Sequence, residues 1–209
     1  MPKSAPFETH TERYEGWFEE HRDAYQSELA ALDRLVPATG RGIEIGVGSG
    51  RFAAPLGIDV GIDPAEAMLE LARKRGVDVV RGVAEHLPVR DATFDTALIV
   101  TTICFVDDIP RTLAEADRIL SVSGQLVIGY IDKDSPVGRI YQEKKGQNPF
   151  YREATFVSTD DLLESLEAAG FSDFDFVQTI YQWLDEIDGP EPIEDGYGDG
   201  SFVGIKASR

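Results

Sequence analysis

Three glycines at alternate positions, Gly46, Gly48 and Gly50 in the stretch "IEIGVGSGRF", follow a short apolar run that carries one acid, Glu44. Such a cluster lets backbone approach a ligand closely, because glycine adopts conformations and tolerates contacts that a side chain blocks. A dinucleotide fingerprint, Gly-x-Gly-x-x-Gly, would need its last glycine at position 51, which is Arg51. A phosphate-cradling loop would end in Gly-Lys-Ser or Gly-Lys-Thr, and "GSGRF" has no lysine. Both readings fail on spacing. A second acid, Asp63, ends "VGIDP" nineteen residues after Glu44. A carboxylate at that strand tip can accept hydrogen bonds from both hydroxyls of a ribose. Asp63 can also cap a helix beginning at Pro64, or serve in both ways.

These residues need a sheet to hold them. Short apolar runs predict strands at about 42–46, 58–62, 77–81, 95–101 and 125–131, with helices near 50–56, 64–75 and 108–120 and a loop or short turn near 84–88. Strand alternating with helix means a parallel sheet with right-handed crossovers. Its ligands bind at the carboxyl ends of the strands, the edge on which both the glycine turn and Asp63 fall. Upstream, residues 13–36 carry apolar side chains at helical spacing and predict one long helix, with a break near its start allowed and Pro37 and Gly40 ending it. Downstream, residues 132–156 form a polar and aromatic excursion. "STDDLLESLEAAG" has Ser158 as helix cap and Gly170 as stop. "FDFVQTIYQW" and "SFVGIKA" read as two final strands, joined by an acidic loop.

Bulk properties narrow the function class. The 209 residues suffice for one core, so one domain is expected over 1–209: a cap at 1–37, a cofactor half at 38–131 and a substrate-side excursion with final strands at 132–209. The formal charge of −18, from 38 acidic and 20 basic residues, argues against nucleic acid as a partner. The first residues, "MPKSAPFETHTERYEGWFEEH", have no continuous apolar stretch, and no run is long enough to insert in a membrane. With a single cysteine, Cys104, a reducing cytoplasm is the expected location. Three scattered histidines and one cysteine do not make a metal site.

In order along the chain, "IEIGVGSGRF", "GIDPAEAMLELAR", "GVAEHLPVRDATFD" and "RTLAEADRILSVSGQLVIG" resemble the successive motifs of class I S-adenosylmethionine-dependent methyltransferases. The nearest branch is the one that includes ubiquinone and menaquinone biosynthesis enzymes (methyltransferase domain 11). The resemblance runs from about residue 38 to 131, more loosely to about 171, and the whole chain is similar to small bacterial members. It implies an α/β, Rossmann-like, doubly wound and mostly parallel seven-stranded sheet, with a final antiparallel strand and an N-terminal helical cap. It also implies S-adenosylmethionine as cofactor, S-adenosylhomocysteine as product and a small-molecule acceptor, in a monomer or homodimer. By the same resemblance Glu44, Gly46, Gly48 and Gly50 surround the methionyl and ribose part, and Asp63 holds the ribose diol. Pro64 and Met68 pack near adenine, Ala84 and Glu85 form the adenine loop, and Thr101 faces cofactor and substrate opening.

Departures from the family pattern fall at Val83, where an adenine-binding aspartate is common, and at Cys104 and Phe105, where histidines are common. Pro55 inside the first sheet helix is a third. On the substrate side, Tyr14, Trp17, His21 and Tyr25 lie on the N-terminal helix, with His21 orienting a substrate, acting as a general base, or merely packing or lying at the surface. Cys104 reads as a nucleophile or as core. Arg139, Tyr141 and Tyr151 line a substrate pocket or pack a lid. No catalytic residue beyond His21 stands out, which in-line methyl displacement allows, since alignment is its main requirement. A non-catalytic S-adenosylmethionine-binding sensor is the competing reading.

Overall fold

The strands form where short apolar, β-branched runs can be buried on both faces, the condition for a parallel sheet covered by helices. The computed structural model describes residues 3–209. β1 (Gly42–Ile45), β2 (Val60–Asp63), β3 (Asp78–Arg81), β4 (Phe94–Val100) and β5 (Leu120–Ile131) are parallel, and β6 (Ser172–Thr179), β7 (Glu194–Asp195) and β8 (Phe202–Ser208) complete the sheet. The spatial order is β3-β2-β1-β4-β5-β8-β6-β7. β8 runs antiparallel to both β5 and β6. The eighth strand, β7, lies in the stretch expected to be loop: two exposed residues, Glu194 and Asp195, pair with Gln178 and Val177. Only the neighbouring edge of β6 makes them a strand.

Two apolar layers sandwich the sheet. One carries Phe94, Ile99, Leu113, Leu126 and Leu166 beneath α5 (Ile109–Ile119) and α7 (Thr159–Ala168). The other carries Leu32, Val47, Leu69, Leu98 and Val127 beneath α3 (Arg22–Asp33) and α4 (Glu66–Lys74). The caps follow local chemistry. Ser158 accepts from the Asp161 amide at 3.2 Å and starts α7, and Gly170 at φ +95° follows its end, as read from sequence.

Three local expectations change. The helix expected over 13–36 is two, α2 (Thr11–Glu20) and α3, broken at His21, whose ψ of 47° leaves the helical region, and a further short helix, α1 (Ala5–Thr9), precedes them across His10. α3 ends at Asp33, short of Val36. Residues 51–57 make turns, not a helix. The Ala54 amide reaches the Gly50 carbonyl and the Leu56 amide reaches Phe52, both at 3.2 Å, but Pro55 has no N–H to continue the ladder. Among the described residues, no helix therefore lies between β1 and β2 to present its N-terminus after the glycine turn. Finally, the helix after Asp63 starts at Glu66 with Ala65 at its cap, so Asp63 does not cap it. The remaining helix, α6 (Pro136–Glu143), belongs to the excursion after β5.

Candidate functional site

β1 is flanked by β2 on one side and β4 on the other, so the strand order reverses there and opens a crevice at the carboxyl ends. Gly46 closes the crevice floor. Its φ is +77°, and a Cβ on it would lie 2.3 Å from the Thr102 side chain, whose hydroxyl donates to the Gly46 carbonyl at 3.1 Å. Gly48, at φ +50°, donates its amide to Asp63 Oδ2 at 2.9 Å, while the Ala65 amide donates to Oδ1 at 2.8 Å. Asp63 is thus clamped at the β2 tip with further acceptor capacity on each oxygen. Burial pushes its carboxyl up to about 6, with the Ala65 and Gly48 amides pulling it down and the Glu8 charge adding to the rise.

Around this clamp lies a cleft of about 130 Å³. Gly46, Gly48, Asp63, Pro64, Ala84, Glu85 and Thr101, all candidates from the sequence, line it together with Val83. Glu85 is already committed through Oε1, which accepts from the Asp107 amide at 2.6 Å. Two expected residues are elsewhere. Gly50, at φ +80°, faces Ala72 of α4, where a Cβ would sit 3.2 Å from its backbone, so it serves helix packing. Met68 is fully buried within α4 and does not reach the cleft. Glu44 lies behind the turn, 1% exposed. Burial raises its carboxyl well above the usual range, the Ala53 amide opposes this, and Oε2 has no partner among the described residues.

A second chamber, of about 500 Å³, adjoins the cleft. Tyr14, Thr101 and Tyr151 border both. Thr101 is held at φ +48°, unusual for a residue with a side chain, with its amide on the Gly129 carbonyl at 2.7 Å. Trp17, His21, Tyr141 and Glu28 line the chamber. Of the other expected substrate-side residues, Tyr25 is a tether whose hydroxyl donates to the Arg51 carbonyl. Arg139 is exposed and lines neither cavity. Cys104 faces a small separate void of about 30 Å³, with Sγ at 3.5 Å from the Thr101 carbonyl and its thiol pushed up to about 12 by burial. That environment keeps it a thiol, not a nucleophile.

The N-terminal helices close the site from above. Glu8 on α1 caps α4 across the cleft, accepting from the Glu66 amide at 2.7 Å and the Ala67 amide at 3.1 Å. Glu15 on α2 pairs with Arg51 and Arg75, and Lys3 donates to the Val106 carbonyl at 3.2 Å. Phe7 packs edge-on against Tyr14 and Phe105. None of Lys3, Phe7, Glu8 or Glu28 was expected at the site. For Glu28 a signal existed: it stands three residues after Tyr25 and four before Leu32, an acid inside an apolar helical stripe. Nothing local marks Glu8, whose partners lie 58 and 59 residues away.

The model for the methyltransferase domain matches residues 43–128. An uncharacterized protein of Methanocaldococcus jannaschii is 41% identical over 203 residues, spanning 97% of this chain and 98% of that one. A demethylmenaquinone methyltransferase of Symbiobacterium thermophilum is 29% identical over 164 residues, 63% of each chain. A crystal structure from Thermotoga maritima, described as a SAM-dependent methyltransferase and possible histamine N-methyltransferase, superposes with a TM-score of 0.96 at 50% identity over 99% of both chains.

Proposed function

Because the chain belongs to the class I S-adenosylmethionine-dependent methyltransferases, we propose that it transfers a methyl group to a small-molecule acceptor held in the chamber under α2. The observation that carries this is the common border of cleft and chamber at Tyr14, Thr101 and Tyr151. A volume of about 500 Å³ with an aromatic wall suits a small organic molecule. The cofactor is S-adenosylmethionine, which supplies an electrophilic methyl carbon on a cationic sulfur.

The cleft residues fit that cofactor. Asp63 offers the spare lone pairs of a fixed carboxylate to the ribose diol, and Gly48, without a side chain, leaves its backbone approachable beside the Tyr14 hydroxyl. Ala84 and Val83 present backbone and an apolar face to adenine, with Glu85 the nearest acid. Tyr14 stays a neutral phenol: burial first, then the charges of Glu44, Asp63 and Glu15, push its ionisation up. It shapes the border between donor and acceptor and does not act as a base. The same reading places the reaction in a reducing cytoplasm.

A test is to incubate the protein with methyl-labelled S-adenosylmethionine and cell extract, then separate the products by size. Label is expected in the low-molecular-weight fraction. Label confined to protein or nucleic acid would sink the acceptor class.

The cap has a consequence for exchange. Phe7 of α1 lines the cleft with Gly48 and Asp63, so α1 forms part of the wall that a nucleoside in the cleft would meet. Glu8→Gln, which removes the anionic cap on α4, should release S-adenosylhomocysteine several-fold faster in stopped-flow displacement, as expected from a capping contact worth roughly 1 kcal/mol. An unchanged release rate would show that Glu8 does not hold the cap.

A further inference from the structure

The chamber wall contains a buried acid that methyl transfer by itself does not explain. Glu28, in the second turn of α3, is 2% exposed and lines the chamber, and its carboxyl makes no hydrogen bond or ion pair with any described residue. An unpartnered carboxylate in such a place is strongly disfavoured. The contrast with Glu191 is direct. That acid, 8% exposed, accepts from the Tyr181 amide at 2.6 Å and from the Gln182 side chain at 2.9 Å. The fold satisfies one buried acid and leaves the other facing a cavity.

What surrounds Glu28 specifies the missing partner. Trp17, Phe52, Tyr141 and Tyr151 share the chamber with it, and aromatic faces attract a cation through their quadrupoles. A vestibule of about 490 Å³ leads on from His21, Tyr141 and Leu184 and carries Asp185 and Glu186 against Lys144. With a formal net charge of −18, the protein's field draws cations toward this opening.

We propose that the acceptor is a small amine with an apolar body, protonated at neutral pH, whose ammonium is seated on the Glu28 carboxylate. This rests on the methyl-transfer reading of the adjoining cleft. An ammonium has no lone pair to offer. Glu28 supplies the remedy: one N–H proton passes to its carboxylate, the bonding pair stays on nitrogen, and a neutral amine faces a neutral carboxyl. Burial favours that form, since desolvation alone lifts the Glu28 carboxyl up to about 8.

The pH dependence follows. The groups facing Glu28 are the phenols of Tyr25 on α3, Tyr141 on α6 and Tyr151 beyond it, all pushed up by burial and so neutral. Arg13 and Glu20 on α2 and the His21 side chain at its end complete the polar wall. An empty Glu28 must lose its proton before pairing with a cation. Ammonium affinity should therefore rise as pH climbs through about 8 and level off until the amine itself deprotonates.

Calorimetry on the S-adenosylhomocysteine-loaded protein decides the matter, with 2-phenylethylamine, tyramine and tryptamine as probes against 2-phenylethanol and phenylacetate. At least one amine should bind about tenfold or more tightly than the alcohol, releasing a proton to buffer below pH 8, and phenylacetate should not bind. Glu28→Gln should bring that amine down to the alcohol's affinity and remove the pH dependence, with S-adenosylhomocysteine affinity unchanged. It should also melt higher than the parent above pH 8. The raised carboxyl contributes stability below its free value of 4.5, and that contribution is lost as pH rises through about 8. His21→Gln should keep the pH dependence, which separates Glu28 from the imidazole that shares its wall. Equal affinity for amine and alcohol, or unchanged amine binding in Glu28→Gln, would overturn the assignment while leaving methyl transfer standing. Failure of the parent protein to bind S-adenosylhomocysteine would overturn both.

Discussion

A Gly48→Val variant is expected to lose S-adenosylhomocysteine binding by at least about a hundredfold, roughly 2.7 kcal/mol, while remaining folded. Two effects act together. Gly48 sits at φ +50°, a left-handed conformation that a β-branched side chain disfavours by roughly 1–2 kcal/mol. Its Cβ would also stand in the cleft, 3.1 Å from the Tyr14 hydroxyl, before the two valine methyls are added. Relief requires the turn to shift, which moves the amide that fixes Asp63 Oδ2. The strain is a fraction of the roughly 5–15 kcal/mol that stabilises a domain, so a cooperative melt should persist. Calorimetry with S-adenosylhomocysteine and a thermal scan on the same sample check both halves. Binding within threefold of the parent would show that the cofactor does not pass over this turn.

Asp63→Ala should weaken S-adenosylhomocysteine binding by about 1–3 kcal/mol, the cost of leaving polar partners unpaired in a desolvated site. The variant removes the acceptor for the ribose hydroxyls and orphans the Gly48 and Ala65 amides, so Asp63→Asn is the sharper companion: it keeps one acceptor oxygen and should lose less. In the parent, affinity should fall as pH drops through about 6, where Asp63 takes up a proton and loses acceptor capacity. Stability moves the other way. A carboxyl raised from 3.8 to about 6 contributes its stability below 3.8 and loses it as pH rises through about 6, so ionised Asp63 is held at a cost to the fold. A flat affinity profile between pH 5 and 7 would mean the ribose is held elsewhere.

Much of the frame was legible because periodicity and turn chemistry are local. Strands β1 to β5, the cap at Ser158 and the stop at Gly170 follow from runs and residues a few positions apart. The glycine turn and Asp63 were legible for the same reason, each ending a strand on the ligand edge of a parallel sheet. The misreadings share an opposite cause. Gly50 and Met68 belong to motifs that touch a cofactor, but here α4 takes Gly50 as a packing surface and encloses Met68. Tyr25 lies on the expected helical stripe, but its hydroxyl reaches Arg51. Arg139 falls on the outer side of α6, away from both cavities.

By itself the sequence pointed to the donor: alternate glycines after one strand and an acid at the tip of the next describe a nucleoside-binding crevice, and the resemblance of four successive motifs to class I methyltransferases names S-adenosylmethionine as what it holds. Tertiary structure decided the acceptor side. Glu8 becomes a helix cap, and Glu28 an unpartnered acid in an aromatic chamber, only when α1 to α3 fold back over the strand ends. The physical reason is range. A turn is specified by the conformations its own residues can adopt, whereas the meaning of a buried charge depends on which distant groups exclude water from it and which leave it unpaired.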